Sequence, residues 1–286
     1  MLNTTQDRTT ALYVVATPLG NLADITLRAL KVMRTVSLIA CEDTRHARRL
    51  LDHYDIKTPT VSLHQHNEVQ AGGKLLESLR QGKSVALISD AGTPAISDPG
   101  ARAVALVQEA GFPVVPLPGP NAAIAALSAS GLVDERFLFV GFLPAKAGAR
   151  RAEIERLRAV PAALVFYEAP HRIEETVADL LALLEPQREI VVARELTKMF
   201  EQIVRMPLAE VPAWIAGDEN RKRGEFVLIV SAPPLREAMD AETERVLRLL
   251  LAELPTKQAA KLAAEITGHS KNELYELALA FKNAPI

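Results

Sequence analysis

From residue 11 onward, short apolar runs alternate with stretches of helical periodicity. Leu12 to Ala16, Ser37 to Cys41, Thr60 to His64, Val85 to Ser89 and Val114 to Leu117 read as buried strands. Between them Ala47, Leu50, Leu51 and Tyr54 fall at helical spacing, as do Leu75, Leu76 and Leu79. Asp98 followed by Pro99 predicts an N-cap and first helical residue, and Gly111 an end to that helix. Strand and helix in strict alternation predict a mostly parallel sheet covered on both faces.

A second block opens near Phe137. Its expected strands are Phe137 to Phe142, Ala163 to Tyr167, Ile190 to Ala193, Phe200 to Val204 and Phe226 to Val230. Ile173, Val177, Leu180, Leu181 and Leu184 share one face of its clearest helix. The later strands are tightly spaced, which implies some antiparallel pairing. The hinge is expected within Gly131 to Arg136, and Pro233-Pro234 closes the block. Only helical patterns follow, with Ser270 and Glu273 placed for a capping box. The expected organisation is an α/β protein: residues 1–131 with a mostly parallel sheet, 132–234 with a mixed sheet, and a helical appendix over 235–286.

Composition narrows the function classes. Of 286 residues 49% are hydrophobic, ample for packed cores, and the formal charge of −2 argues against attachment to nucleic acid through bulk charge. Cys41 is the only cysteine, so neither a disulfide framework nor a Cys-rich zinc site can form. Met1 to Thr10 is polar and lacks an apolar signal core, and no apolar run reaches the roughly 18 residues of a membrane span. A soluble cytoplasmic protein with no membrane association is expected.

Chemistry is sought where strands end, because ligands of open α/β sheets gather beyond the carboxyl ends of the strands. Thr17-Pro18-Leu19-Gly20-Asn21 lacks a full Gly-x-Gly-x-x-Gly pattern, so an ordinary dinucleotide site is not supported. Glu42-Asp43-Thr44-Arg45-His46 follows a buried strand. A helix start explains its two acids, but not the clustering of Arg45 and His46 with them. The Ser89 to Gly100 loop, with two glycines and two prolines, exceeds the about two to six residues of a plain connector. Leu117-Pro118-Gly119-Pro120-Asn121 should lie beside it. In the second block Tyr167 to Arg172 and Arg194 to Lys198 place Glu, His, Arg and Lys after adjacent strands. No metal-ligand spacing and no Ser-His-Asp nucleophile elbow is present.

Taken together, these loops resemble the tetrapyrrole-methylase-like superfamily of S-adenosylmethionine enzymes, and within it the members that methylate small-subunit ribosomal RNA. The resemblance runs from about Leu12 to the end of the chain. It rests on Ala16-Thr17-Pro18-Leu19-Gly20-Asn21-Leu22, Glu42-Asp43-Thr44-Arg45, Ser89 to Gly100, Gly141-Phe142-Leu143-Pro144, Phe166 to Arg172 and Arg194 to Lys198. It implies two α/β domains of the tetrapyrrole-methylase type with a cofactor cleft between them, a homodimer, and S-adenosyl-L-methionine as cofactor. It also implies cofactor contacts from Leu19, Ala91, Gly92, Thr93, Ile96, Asn121, Ala122, Glu168 and Leu196. The expected reaction is 2′-O-methylation of a cytidine in 16S ribosomal RNA of the small subunit.

The physics of that reaction assigns further roles. A sulfonium cation favours a nearby carboxylate, Asp90 or Glu168. A ribose hydroxyl needs a base or an oxyanion-stabilising cation. Glu42 and Glu195 are the candidate bases, with Arg45 and Lys198 as their cations; structural ion pairs are the alternative for both couples. His46, His171, Arg172, Arg221, Lys222 and Arg223 are candidate RNA contacts, and the basic stretch Ala147 to Arg158 also favours RNA. Two readings compete: a methyltransferase acting on a tetrapyrrole or other small molecule, and a non-catalytic RNA-binding factor.

Overall fold

The structure, a computed structural model, describes residues 10–65, 67–132, 134, 136–233 and 235–283. The amino terminus before Thr10, Pro234 of the proline pair, and Val133 and Glu135 of the expected hinge lie outside the described residues. The chain forms two compact units, one of Met1–Ser130 with Ala193–Ile203, the other of Gly131–Val192 with Val204–Ile286.

The first unit holds β1 (Leu12–Val15), β2 (Leu38–Cys41), β3 (Thr60–Ser62), β4 (Val85–Ile88) and β5 (Val114–Leu117). They form a parallel sheet in the order β3-β2-β4-β1-β5. The helices α1 (Leu27–Thr35), α2 (Thr44–His53), α3 (Glu68–Arg80) and α4 (Ala101–Glu109) make the crossovers, and α5 (Ala122–Ala129) follows β5. Two clusters of buried side chains hold the layers. One joins Tyr13, Val15, Ile39 and Ile88 to α1 and α2; the other joins Leu12, Ala40, Val85 and Leu87 to α3 and α4. Residues alternating along each strand therefore serve opposite faces, which is why these strands read as continuous apolar runs.

Register decides where the loops emerge. Val15 pairs with both Ile88 and Leu117, so β4, β1 and β5 end level and their three following loops leave side by side. Cys41 pairs with Ser62, which brings the loop after β2 beside the loop after β3. β2 ends at Cys41 as expected, whereas β3 ends earlier than the apolar pattern suggests: Leu63 and His64 lie beyond the strand. The expected helix start at Asp98-Pro99 is corrected. The N-cap is Gly100, at φ 131°, where a Cβ would meet Leu87 Cδ2 at 2.7 Å. That close approach reserves the position for glycine and delays the helix to Ala101.

The second unit carries β6 (Phe137–Phe142), β7 (Ala163–Glu168), β8 (Glu189–Arg194), β9 (Gln202–Pro207) and β10 (Phe226–Val230) in the order β6-β7-β10-β8-β9. β6 and β7 are parallel and β7 and β10 antiparallel, a mixed sheet as the strand spacing predicts. β9 starts two residues later than expected because Glu201 N–H donates to the Lys198 carbonyl and closes a turn, leaving Phe200 68% exposed.

Helices α6 (Ala147–Leu157) and α7 (Ile173–Leu183) are tied by a buried ion pair. Arg150 Nε donates to Asp179 Oδ2 at 2.6 Å, Arg151 Nε to Asp179 Oδ1 at 2.6 Å, and the Arg150 and Asp179 side chains are 3% and 4% exposed. Removing Asp179 leaves the buried Arg150 with only the exposed Glu175, 3.2 Å away, as a counter-charge. Asp179→Ala is therefore expected to destabilise the protein by about 3–5 kcal/mol. In urea unfolding this is a lowered midpoint at unchanged slope; an unchanged midpoint would show the pair to be energetically silent.

After β10 the chain is helical: α8 (Val211–Ala216) precedes that strand, and α9 (Leu235–Glu253), α10 (Thr256–Thr267) and α11 (Lys271–Asn283) follow it. The last three have a core of their own, built on Leu247, Ala259, Ala260, Ala263, Leu274 and Ala278. Gly268, left-handed at φ 75°, ends α10, and the Ser270 carbonyl accepts the Leu274 N–H at 3.1 Å at the start of α11. Among the described residues no helix is long and apolar enough to cross a membrane.

Candidate functional site

The loops after β1, β4 and β5 are bound to one another. Thr17 N–H donates to the Gly92 carbonyl at 2.8 Å and Gly92 N–H to the Thr17 carbonyl at 3.0 Å. Thr17 Oγ1 donates to the Ser89 carbonyl at 3.0 Å, and Thr93 Oγ1 to the Pro120 carbonyl at 3.0 Å. Asn121 caps α5, its Oδ1 accepting the Ile124 N–H at 3.1 Å, while its Nδ2 reaches Thr93 Oγ1 at 3.5 Å. Leu19, Ala91, Gly92, Thr93, Asn121 and Ala122 are thus brought together at one end of the sheet. Ile96 lies on the same loop with 42% of its surface exposed.

Gly92 has φ +76°, and a Cβ there would lie 3.3 Å from Leu19 Cδ2. Ala95 and Ser97 also hold positive φ, 64° and 62°. The loop after β8 repeats this: Glu195 is at φ 52° and Thr197 at 65°. Positive φ is uncommon for non-glycine residues and more so for a β-branched one. Such strain gathers at functional loops, and among the described residues four of the five such non-glycine residues fall in two loops singled out by composition, the fifth being Asp55 after α2. Thr197 Oγ1 is buried without a hydrogen-bond partner among the described residues.

Beside this cradle stands a group of carboxylates. Asp90 Oδ1 accepts the Asp43 N–H at 3.2 Å, joining the loops after β4 and β2. Burial, then Glu42 and Asp90, push the Asp98 carboxyl up to about 6. Glu42 is also raised, by burial first and then by Asp90, with His64 acting in the opposite sense. The same surroundings push the buried Cys41 thiol up to about 12, burial leading, so it is no nucleophile.

The expected Glu42–Arg45 pair is corrected. Asp43 is the N-cap of α2: its Oδ1 accepts the Arg45 N–H at 2.8 Å, and Arg45 Nη2 folds back onto Oδ2 at 2.9 Å. The capping geometry gives Arg45 to Asp43, its side chain 91% exposed, and leaves Glu42 facing Asp90, Asp98 and His64. Glu195 and Lys198 do pair, at 2.7 Å, with the Lys198 stem packed over Gly20. Leu196 between them is buried.

His64 and Asp98 are not among the candidate site residues read from sequence, where Asp98 is expected as an N-cap and His64 as the end of a strand. The His64 N–H donates to Asn67 Oδ1 at 2.7 Å, Asn67 Nδ2 donates to the Ser62 carbonyl at 3.0 Å, and Ser62 Oγ donates to the Glu42 carbonyl at 3.1 Å. A turn built by Asn67 thus fixes the loop carrying His64 to the backbone of Glu42.

Several candidates in the second unit are occupied within the protein. Glu168 is 2% exposed; it accepts from Ala169 N–H at 2.8 Å and Thr176 Oγ1 at 2.6 Å, and Arg172 lies 3.4 Å away. Arg172 Nη2 also donates to the Leu143 carbonyl at 2.7 Å. Arg221 stacks 4.6 Å from the Trp214 ring centroid and donates to the Trp214 carbonyl at 2.7 Å. Lys222 pairs with Glu174 and Glu219. The basic stretch at α6 is likewise paired: Arg150 and Arg151 with Asp179, Arg156 with Glu153, Arg158 with Glu185. His46, His171 and Arg223 are exposed.

Residues 11–212 match the family model of tetrapyrrole (corrin/porphyrin) methylases, and residues 237–282 match the RsmI C-terminal HTH domain. The chain is 55% identical over 271 residues to ribosomal RNA small subunit methyltransferase I of Pseudomonas aeruginosa, covering 94% of this chain and 96% of the relative. The corresponding protein of Escherichia coli O157:H7 is 52% identical over 269 residues, covering 94% of each. Among solved structures, a diphthine synthase superposes with a TM-score of 0.62 at 16% identity, covering 78% of this chain and 90% of that one. A uroporphyrin-III C-methyltransferase from Thermus thermophilus superposes with a TM-score of 0.55 at 20% identity, covering 77% and 97%. These likenesses carry the fold. The chain belongs to the tetrapyrrole (corrin/porphyrin) methylase family and, within it, to the ribosomal RNA small subunit methyltransferase I family.

Proposed function

We propose that this protein transfers a methyl group from S-adenosyl-L-methionine to the ribose 2′-oxygen of a cytidine in 16S ribosomal RNA of the small subunit, acting as a cytoplasmic homodimer. The observation that carries the reading is the near-full-length identity to ribosomal RNA small subunit methyltransferases. The exposed side chains of Leu27, Met199 and Phe200, at 86%, 90% and 68%, supply apolar surface for a second copy.

The residues of the first unit fit the cofactor. Gly92 lets main chain pack closely, since a Cβ there would meet Leu19 Cδ2 at 3.3 Å and the Pro120 carbonyl at 3.8 Å; Ala91, Thr93, Ile96, Asn121 and Ala122 lie on the same bonded loops, and Leu196 on the loop after β8. Asp90 acts on both Glu42 and Asp98, so negative charge is gathered there that favours a nearby cation. S-adenosyl-L-methionine, when bound, supplies a methyl group on a cationic sulfur. Glu168 is left out of this set because its oxygens are engaged within its own loop.

The chain's own work is to position the ribose oxygen and to accept its proton. Glu42 is the carboxylate we favour as acceptor, since Lys198 already engages Glu195. Arg45 and His46 at the start of α2, with His171 and Arg223, are the exposed candidates for RNA.

The test is methyl transfer from labelled cofactor to small ribosomal subunits and to tetrapyrroles, with calorimetry on the cofactor alone. Transfer to the subunit, with RNA affinity falling as salt rises, is expected because phosphate contacts release counterions. Transfer to a tetrapyrrole only, or RNA binding with no cofactor affinity, would each overturn the reading.

A further inference from the structure

A cavity of about 320 Å³ opens at the end of β3, walled by Gln65, Asn67, Glu68, Val69, Gln70 and Arg102. It is nucleotide-sized, at the small end of ligand pockets. The start of α3 forms one wall and the start of α4 the other. Glu68 is held in place: it is 9% exposed and its Oε2 accepts the Arg102 backbone N–H at 3.0 Å. Asn67 is spent on shaping the loop, as described above. By contrast, the side chains of Gln65, Gln70 and Arg102 have no hydrogen-bond or ion partner among the described residues. The cavity thus offers one fixed carboxylate acceptor and three side chains able to donate, two amides and a guanidinium.

We propose that this cavity receives the base of the cytidine to be methylated, which rests on the RNA-methylating reading above. The pairing edge of cytosine presents one amino donor beside two acceptors. A carboxylate accepting from the cytosine amino group is an established pairing, and amide and guanidinium groups suit the two acceptors. Uracil would turn a carbonyl oxygen toward Glu68, and guanine presents the reverse order of donors and acceptors. RNA bases are read in this way when splayed from their stack. Placement agrees: Gln65 directly follows His64, and the loop is bonded to the backbone of Glu42 through Ser62. A base in this cavity would leave its ribose on the side of the favoured proton acceptor.

The experiment measures single-turnover methylation by the full chain, on small subunits carrying C or U at the methylated position. Wild-type transfer to neither would sink the functional reading and not this one in particular. With wild-type transfer to C established, Glu68→Gln is expected to cut the preference for C over U tenfold or more, because glutamine can donate to the uracil carbonyl. Gln70→Ala with Arg102→Ala is expected to slow transfer to C at least tenfold, with cofactor affinity by calorimetry unchanged. The double variant also serves if Glu68→Gln loosens the start of α4. Wild-type rate and preference in these variants would overturn the proposal. So would an equal loss on C and U with the preference intact, since that is the signature of a phosphate contact.

Discussion

Gly92→Leu is expected to weaken binding of S-adenosyl-L-methionine by at least about a hundredfold, each tenfold being about 1.4 kcal/mol. Two effects add. The position sits at φ +76°, where a branched side chain is strained. The new side chain would also start 3.3 Å from Leu19 Cδ2 and crowd the bonded loops after β1, β4 and β5. The loop is surface-facing on its far side, with Ala91 and Ile96 exposed, so the sheet beneath should survive. Gly92→Ala, adding one methyl, should lose less. Calorimetry on both variants, with circular dichroism as the control for folding, checks the result. Unchanged affinity in the leucine variant would remove this loop from the cofactor site.

That such a prediction could be framed from sequence has a physical reason. Strands buried on both faces need apolar residues throughout, which makes β1, β2 and β4 legible as apolar runs, while the edge strands β3 and β5 are only half-buried. The loops at their carboxyl ends were legible because glycines, prolines and charged residues stood directly after apolar runs. What sequence could not provide was the partner of each charge. Glu42 and Asp43 are neighbours, and only the capping geometry assigns Arg45 to Asp43. The basic residues of α6 suggest an RNA surface, but Arg156 pairs with Glu153 on the same helix, and Arg150 and Arg151 find their carboxylate on α7, 28 residues away in the case of Arg151 and Asp179. Glu168 and Arg172 fit a cofactor or RNA site by composition, yet the short turn between β7 and α7 brings them onto each other. His64 was overlooked because it was taken as the last residue of a strand that ends at Ser62.

The corrected pairing makes the base assignment testable. Glu42→Gln is expected to slow single-turnover methyl transfer by about a hundredfold to ten-thousandfold, the usual contribution of a positioned base. Glutamine keeps the shape and the backbone bond to Ser62 Oγ, so cofactor affinity should change far less. The pH profile supplies the independent reading. Glu42 is raised from its ordinary value, with burial the leading cause and Asp90 next. Only the ionised carboxylate accepts a proton, so the wild-type rate should climb with pH as Glu42 ionises, later than an ordinary glutamate would, and then level off. His64 opposes the upward shift. Replacing it with glutamine should therefore move the climb to higher pH without abolishing transfer. In Asp90→Asn the leading negative neighbour of Glu42 is gone, and the climb should move to lower pH. Opposite displacements by the two neighbours would identify the titrating group as Glu42. If Glu42→Gln keeps both the rate and the profile of the wild type, Glu42 is not the proton acceptor. The next carboxylate to examine would then be Glu195, freed from Lys198 by Lys198→Met.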